Sequence, residues 1–252
     1  MRVIVTRPAA EAAEWVEALR ARGFDAVSLP LIEIRAVCDV AALRAAWTHL
    51  ALYRAVMFVS ANAVRAFFAA RPAGAQFGAR AWATGAGTRA ALVAAGAHDI
   101  DTPPAESLQF DSEALWQVVR AQCASRDRVL IVRGAQAGSQ GASGRDWLAD
   151  QLAACGVQVD ELAAYVRACP AFGASELALA SEAANDGSAW LFSSSQAIAN
   201  LRARLPDADW SNARAVATHP RIAQAAREAG FCVVCVSRPP MAEVVAALES
   251  LG

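Results

Sequence analysis

Four short stretches place small polar residues directly after an apolar run and directly before a helical pattern: Ser60 to Ala63, Gly85 to Thr88, Ser193 to Gln196 and Thr218 to Arg221. Such turns suit one kind of chemistry. The first N–H groups of a helix lack intrahelical partners and carry the positive end of its dipole, so a carboxylate or phosphate is favoured there. Ser60, Asn62, Ala63, Gly85, Gly87, Thr88, Ser194, Ser195, Thr218 and His219 all lie in these turns. Any one turn is also explained by Ser or Thr as an ordinary N-cap. Four of them, in matched pairs, favour a ligand held between two similar domains. No Ser-His-Asp arrangement, metal-ligand cluster or P-loop accompanies them, and "GAGT" at 85 to 88 is too short a signal for a dinucleotide.

The elements that position these turns occur twice. Phe58 and Phe192 stand 134 positions apart, and the same spacing sets Ser60 on Ser194, Ala63 on Ala197, Thr84 on Thr218 and Gly96 on Gly230. A spacing kept across two segments and the variable stretch between them marks a duplicated unit. A looser third pair joins "RVIVTRP" to "RVLIVRG" from Arg128, with Arg7 on Arg133, Trp15 on Trp147 and Gly23 on Gly156. Its later copy carries a longer, Gly- and Ser-rich loop. Each half then holds three strand-loop-helix units. Val- and Ile-rich runs at 3–5, 56–59, 129–132 and 233–236 predict strands, and the Ala- and Leu-rich stretches after them have helical period. Gly23, Gly96, Gly156 and Gly230 stand where a helix ends in a left-handed residue. Strands alternating with helices predict an α/β protein of open sheets with helices on both faces, whose ligands lie off the carboxyl ends of the strands.

Composition narrows the class further. The chain has 252 residues, 56% hydrophobic and 19% charged, with a net charge of −1, which describes a substantial core and gives no bulk attraction to nucleic acid. All 23 basic residues are arginine. The N-terminus enters a strand pattern without a signal-peptide core, and no charge-free run of about 18 apolar residues occurs, so no membrane span and a cytoplasmic location are expected. Six cysteines (Cys38, Cys123, Cys155, Cys169, Cys232 and Cys235) include one C-x-x-C, but "FCVVCVS" reads as a strand, where positions three apart face opposite ways. Free, mostly buried thiols are expected.

An ordered set of motifs covers nearly the whole chain: "VTRP" at 5 to 8, "LPLIEI" at 29 to 34, "SANAV" at 60 to 64, "GAGT" at 85 to 88, "DSEAL" at 111 to 115, "VRG" at 132 to 134, "AAYVR" at 163 to 167 and "HPRIA" at 219 to 223. In this order they resemble the uroporphyrinogen-III synthase family. The resemblance implies two similar parallel-sheet (flavodoxin-like) domains joined by a two-stranded connector, with a ligand cleft between them. One domain is then residues 1–36 plus 168–252 and the other 37–167, with paired connectors near Ile34 to Val37 and Tyr165 to Ala168.

The activity implied is cofactor-free closure of hydroxymethylbilane to uroporphyrinogen III, with inversion of ring D and loss of water. The substrate carries eight carboxylates and a hydroxymethyl leaving group, so helix-start turns would hold carboxylates without placing a strong base beside a reactive cation. Thr6, Arg7, Arg133 and Gly134 join the turns as substrate-binding candidates, the two arginines through charge-assisted contacts. Thr88 falls on a family threonine and is assigned a carboxylate contact. At its repeat position stands Ile222, a departure from the family's Gly-Pro-x-Thr style, and His219 is a candidate donor to a propionate or, beside Pro220, a structural cap. Tyr165 is the candidate proton donor for the leaving hydroxyl, since a phenol with an ordinary pKa of about 10 is protonated at neutral pH. No metal is called for, a monomer is expected, and contact with the preceding pathway enzyme is left open. A two-domain binding protein or a glycosyltransferase-like enzyme for an acidic small molecule would share the architecture.

Overall fold

Runs such as "AVMF" and "AWLF" form strands because apolar, β-branched and aromatic side chains pack well on a sheet buried on both faces, and a small polar residue follows each within two positions. The computed structural model describes residues 1–104, 107, 111–138 and 147–251. In chain order these form β1 (Arg2–Val5), α1 (Ala9–Arg20), β2 (Asp25–Ser28), β3 (Glu33–Ala36), α2 (Ala41–Thr48), β4 (Ala55–Phe58), α3 (Ala61–Ala69), β5 (Ala81–Ala83), α4 (Ala86–Ala94) and β6 (Ile100–Asp101). They continue with α5 (Ser112–Val119), β7 (Arg128–Gln136), α6 (Trp147–Ala154), β8 (Gln158–Ala168), α7 (Ala174–Asn185), β9 (Ala189–Phe192), α8 (Ser195–Arg204), β10 (Arg214–Ala217), α9 (Pro220–Glu228), β11 (Val233–Val236) and α10 (Met241–Glu249). Most of the Gly- and Ser-rich loop expected before α6, residues 139–146, lies outside the described residues.

The chain divides into two compact units, Met1–Glu33 with Ala168–Gly252, and Ile34–Arg167. The first holds a five-stranded sheet in the order β11-β10-β9-β1-β2, parallel at every pairing. The second holds a six-stranded sheet in the order β3-β8-β7-β4-β5-β6, parallel from β8 to β6. Read from β6, the second sheet repeats the first element by element and adds β3 at its edge. The 134-residue spacing persists in the helices, since α3 and α8 begin at 61 and 195, and α4 and α9 at 86 and 220. The fold class is α/β with two mostly parallel sheets.

Alternate residues of each strand enter different cores, as period-2 geometry requires. Val56 and Phe58 of β4 pack with Leu130 and Val132 of β7 against α2, α3 and α4, whereas Ala55 and Met57 pack with Val129 and Ile131 against α5 and α6. In the other unit Val3, Val5, Ala189 and Leu191 meet α1 and α10. Gly23, Gly96, Gly156 and Gly230 all have positive φ, from 77° to 105°, at the ends of their helices.

The cysteines differ from expectation. Cys38, Cys155 and Cys232 are exposed and Cys123, Cys169 and Cys235 are half-buried, because they fall in turns and at sheet edges rather than in the packed strands. Burial, reinforced by Asp127, pushes the Cys123 thiol up to about 11. Among the described residues no group of three or more His, Cys, Asp or Glu could hold a metal ion, and no helix is long and apolar enough to cross a membrane.

Candidate functional site

Tyr165 is the candidate side chain whose position depends most on its surroundings. It lies in β8, only 5% exposed, in the core that also holds Leu162 and Ala164. Regular alternation would send Tyr165 to the face opposite its neighbour Ala164. A bulge prevents this: Arg133 pairs with Ala163 and Gly134 with Tyr165, so Ala164 is the extra residue. The ring is thereby turned to the face covered by α3. Gly134 is the complement of that turn, because a Cβ there would stand 2.6 Å from Cζ of the Tyr165 ring and 3.0 Å from its hydroxyl oxygen.

The Tyr165 hydroxyl meets the first of the helix-start turns. Its oxygen is 3.1 Å from Ser60 Oγ, and either group can donate. Ser60 is the N-cap of α3, and its Oγ accepts the N–H of Ala63 at 3.2 Å. Tyr165, Ser60, Ala63 and Gly134 are therefore brought together within the unit Ile34–Arg167. Asn62, in the first turn of α3, accepts from Arg65 at 2.7 Å. The next turn is chemically different: Gly85 is the N-cap of α4 with no side chain to cap it, the space beside Gly87 is open, and Thr88 is buried.

The matching turns of the other unit are also helix starts. Ser194 caps α8 by accepting the N–H of Gln196 at 3.2 Å, and Ser195 is the exposed first residue of that helix. The N-cap of α9 is His219, not Thr218; its Nδ1 accepts the N–H of Arg221 at 3.1 Å, which puts the proton of a neutral ring on Nε2. Thr218 is buried behind it and its N–H donates to Phe192 O. Ile222, at the position matching Thr88, is apolar and buried, so no hydroxyl stands there.

Thr6, Arg7 and Arg133 have partners inside their own units. The Thr6 hydroxyl donates to Leu191 O at 2.7 Å and pins the ends of β1 and β9 together. Arg7 pairs with Glu11 at 3.4 Å, and its guanidinium lies 4.2 Å from the centre of the Trp15 ring. Burial pulls the Arg7 pKa down, with Glu11 opposing the shift. Arg133, buried in β7, pairs with Glu161 of β8 at 3.5 Å. Glu11 and Glu161 were not singled out from the sequence, and Trp15 was noted only as the repeat partner of Trp147. Two signals were present: Glu11 stands four residues after Arg7 at helical spacing, and Glu161 is an acidic residue on a strand paired with the one bearing Arg133.

Two α/β units with mostly parallel sheets, whose helices start at the ends of their strands and one of whose helix starts touches a buried phenol, define a doubled α/β protein with helix starts of the general kind that can hold an anion. The family model described as uroporphyrinogen-III synthase HemD matches residues 13–246. The chain belongs to that family, and so to the enzymes of porphyrin and haem biosynthesis that act on a small-molecule tetrapyrrole. Solved structures share its fold. A selenomethionine derivative of a mutant uroporphyrinogen III synthase from the extremely thermophilic bacterium Thermus thermophilus is similar over 100% of this chain and 98% of its own, with a TM-score of 0.58 at 17% identity. The uroporphyrinogen-III synthetase of Helicobacter pylori is similar over 100% of both chains, with a TM-score of 0.58 at 16% identity.

Proposed function

We propose that the chain converts hydroxymethylbilane into uroporphyrinogen III without a cofactor, inverting ring D and releasing water, and that Tyr165 gives the departing hydroxyl its proton. The observation that carries this reading is the Tyr165 hydroxyl, fixed by a bulge and a glycine beside the helix start at Ser60 in a chain of this family. Proton transfer from the phenol breaks the C–O bond, releases water and leaves an azafulvenium cation. The far ring attacks that cation through its substituted α-carbon, and the spirocyclic product fragments and recombines with the ring inverted. Loss of a proton from the recombined ring restores the aromatic pyrrole and can return the phenol to its starting state. The uncatalysed closure gives the symmetric isomer, so geometry is the main demand on the protein. Helix-start amides meet that demand, holding carboxylates through neutral donors that do not compete for the cation.

The test is to supply freshly generated hydroxymethylbilane to the purified protein without added metal or nucleotide, oxidise the products and separate the type I and type III isomers. Type III product is expected, and Tyr165→Phe should lower turnover about tenfold, less than the roughly 10²- to 10⁴-fold typical of a general acid because the hydroxyl departs readily unaided. Type I product alone at the spontaneous rate would sink the reaction. Type III product with undiminished turnover in the Tyr165→Phe variant would keep the reaction and remove Tyr165 as its acid.

A further inference from the structure

The hydroxyl of Ser60 does two things at once: it caps α3 and it touches Tyr165. We infer that Ser60 is a positioning residue for the proton transfer, aiming the Tyr165 hydroxyl and donating to the phenolate left once that proton has gone. The inference rests on Tyr165 being the acid. A serine hydroxyl has one proton and two acceptor sites. The Ala63 N–H occupies one acceptor site, so the Ser60 proton and the second acceptor site are what Tyr165 can use. Before the transfer, Ser60 can accept from the phenol or donate to it. In the donating arrangement the phenol proton is directed away from Ser60, toward a reacting group.

After the transfer only one arrangement is favourable. The phenolate oxygen needs a donor, the Ser60 hydroxyl oxygen is 3.1 Å away, and a hydrogen bond to an ionised acceptor is stronger than one to a neutral one. The contact is therefore tighter in the transition state than in the ground state, which is the condition for raising turnover rather than affinity. The cap bond keeps Oγ where this can happen, since Ser60 cannot leave its rotamer without giving up the Ala63 N–H. The close approach of the ring to Gly134 holds the other partner. Ser60 need not touch the substrate to act.

The experiment is a cycle of Ser60→Ala and Tyr165→Phe, read as kcat and KM for the type III product, with Ser60→Gly and Ser60→Thr alongside. Glycine keeps the helix start at little cost but has no hydroxyl, so it separates the cap from the proton. S60A and S60G should each lower kcat about three- to tenfold, the net worth of one ordinary hydrogen bond and less than that of a bond to a full charge, with KM nearly unchanged. S60T should recover turnover to within about threefold, and S60A should have no added effect in the Y165F background. An equal fall in both backgrounds would mean that the residue acts through the helix start alone, and the inference fails. Unchanged kcat in S60G would overturn it too. If Y165F itself keeps full turnover, the earlier assignment of the acid falls, which the same four proteins reveal separately.

Discussion

Gly134 lacks the one atom that Tyr165 could not tolerate. A Cβ at 2.6 Å from Cζ and 2.7 Å from Cε2 is closer than real contacts allow, and the ring is part of a packed core and has no free end in solvent. Gly134→Ala should therefore cost about 1–3 kcal/mol, the usual range for overpacking, seen as a lower urea midpoint with the slope unchanged. The same variant should lose turnover beyond what its stability explains, because a ring pushed off Gly134 carries its hydroxyl out of its place beside Ser60. A normal midpoint would show that the ring has a second place to go. A lowered midpoint with normal turnover would show that the hydroxyl's position does not matter to the reaction. Such a requirement is invisible along the chain: the glycine and the tyrosine are far apart in sequence and are joined only by strand register.

At the scale of elements, much of the candidate site was legible and one decisive feature was not. A Ser before a helical pattern states its own local chemistry, so the caps at Ser60 and Ser194 could be placed from the sequence. His219, readable from the sequence either as a donor to a propionate or as a structural cap, caps α9, because Thr218 lies buried at the end of β10. The bulge at Ala164 could not be read at all. Bulges are properties of a strand pair, and period-2 reading of "AAYVR" puts Tyr165 on the wrong face. One more turn carries a local cost. Arg126, in the connection leading into β7, has φ of 77° and donates its N–H to Gly156 O. An L side chain in this region costs about 1–2 kcal/mol, and glycine recovers that at an entropic loss of about 0.5–1 kcal/mol. Arg126→Gly should then raise the urea midpoint by the equivalent of about 0.5–1 kcal/mol, and an unchanged or lowered midpoint would mean that the Arg126 side chain contributes more than its backbone strain removes.

For the whole molecule, the duplication was legible because the 134-residue spacing survived in helices that share no long identity. What local periodicity could not convey is that the first two strands join a sheet made mostly by the last third of the chain; that arrangement was available only through the family resemblance. It has a thermodynamic consequence. In the first sheet β1 lies between β9 and β2, so residues 168–252 without residues 1–33 would lose two strands and expose the inner edge of β9. The unit Ile34–Arg167 is different: it is one continuous segment, its sheet draws all but the end residues of β3 and β8 from within that segment, and its two ends lie on those neighbouring strands. Its two cores are built from its own residues alone. Continuity, an independent core and adjacent termini are the marks of a segment that folds by itself. Residues 34–167 expressed alone should therefore give a cooperative urea transition and native-like near-ultraviolet circular dichroism, whereas 168–252 alone should show neither until residues 1–33 are supplied as a peptide or fused through a short linker. A non-cooperative transition for 34–167 would mean that its core draws stability from the rest of the chain, and cooperative folding of 168–252 alone would mean that β1 and β2 are dispensable to the first sheet.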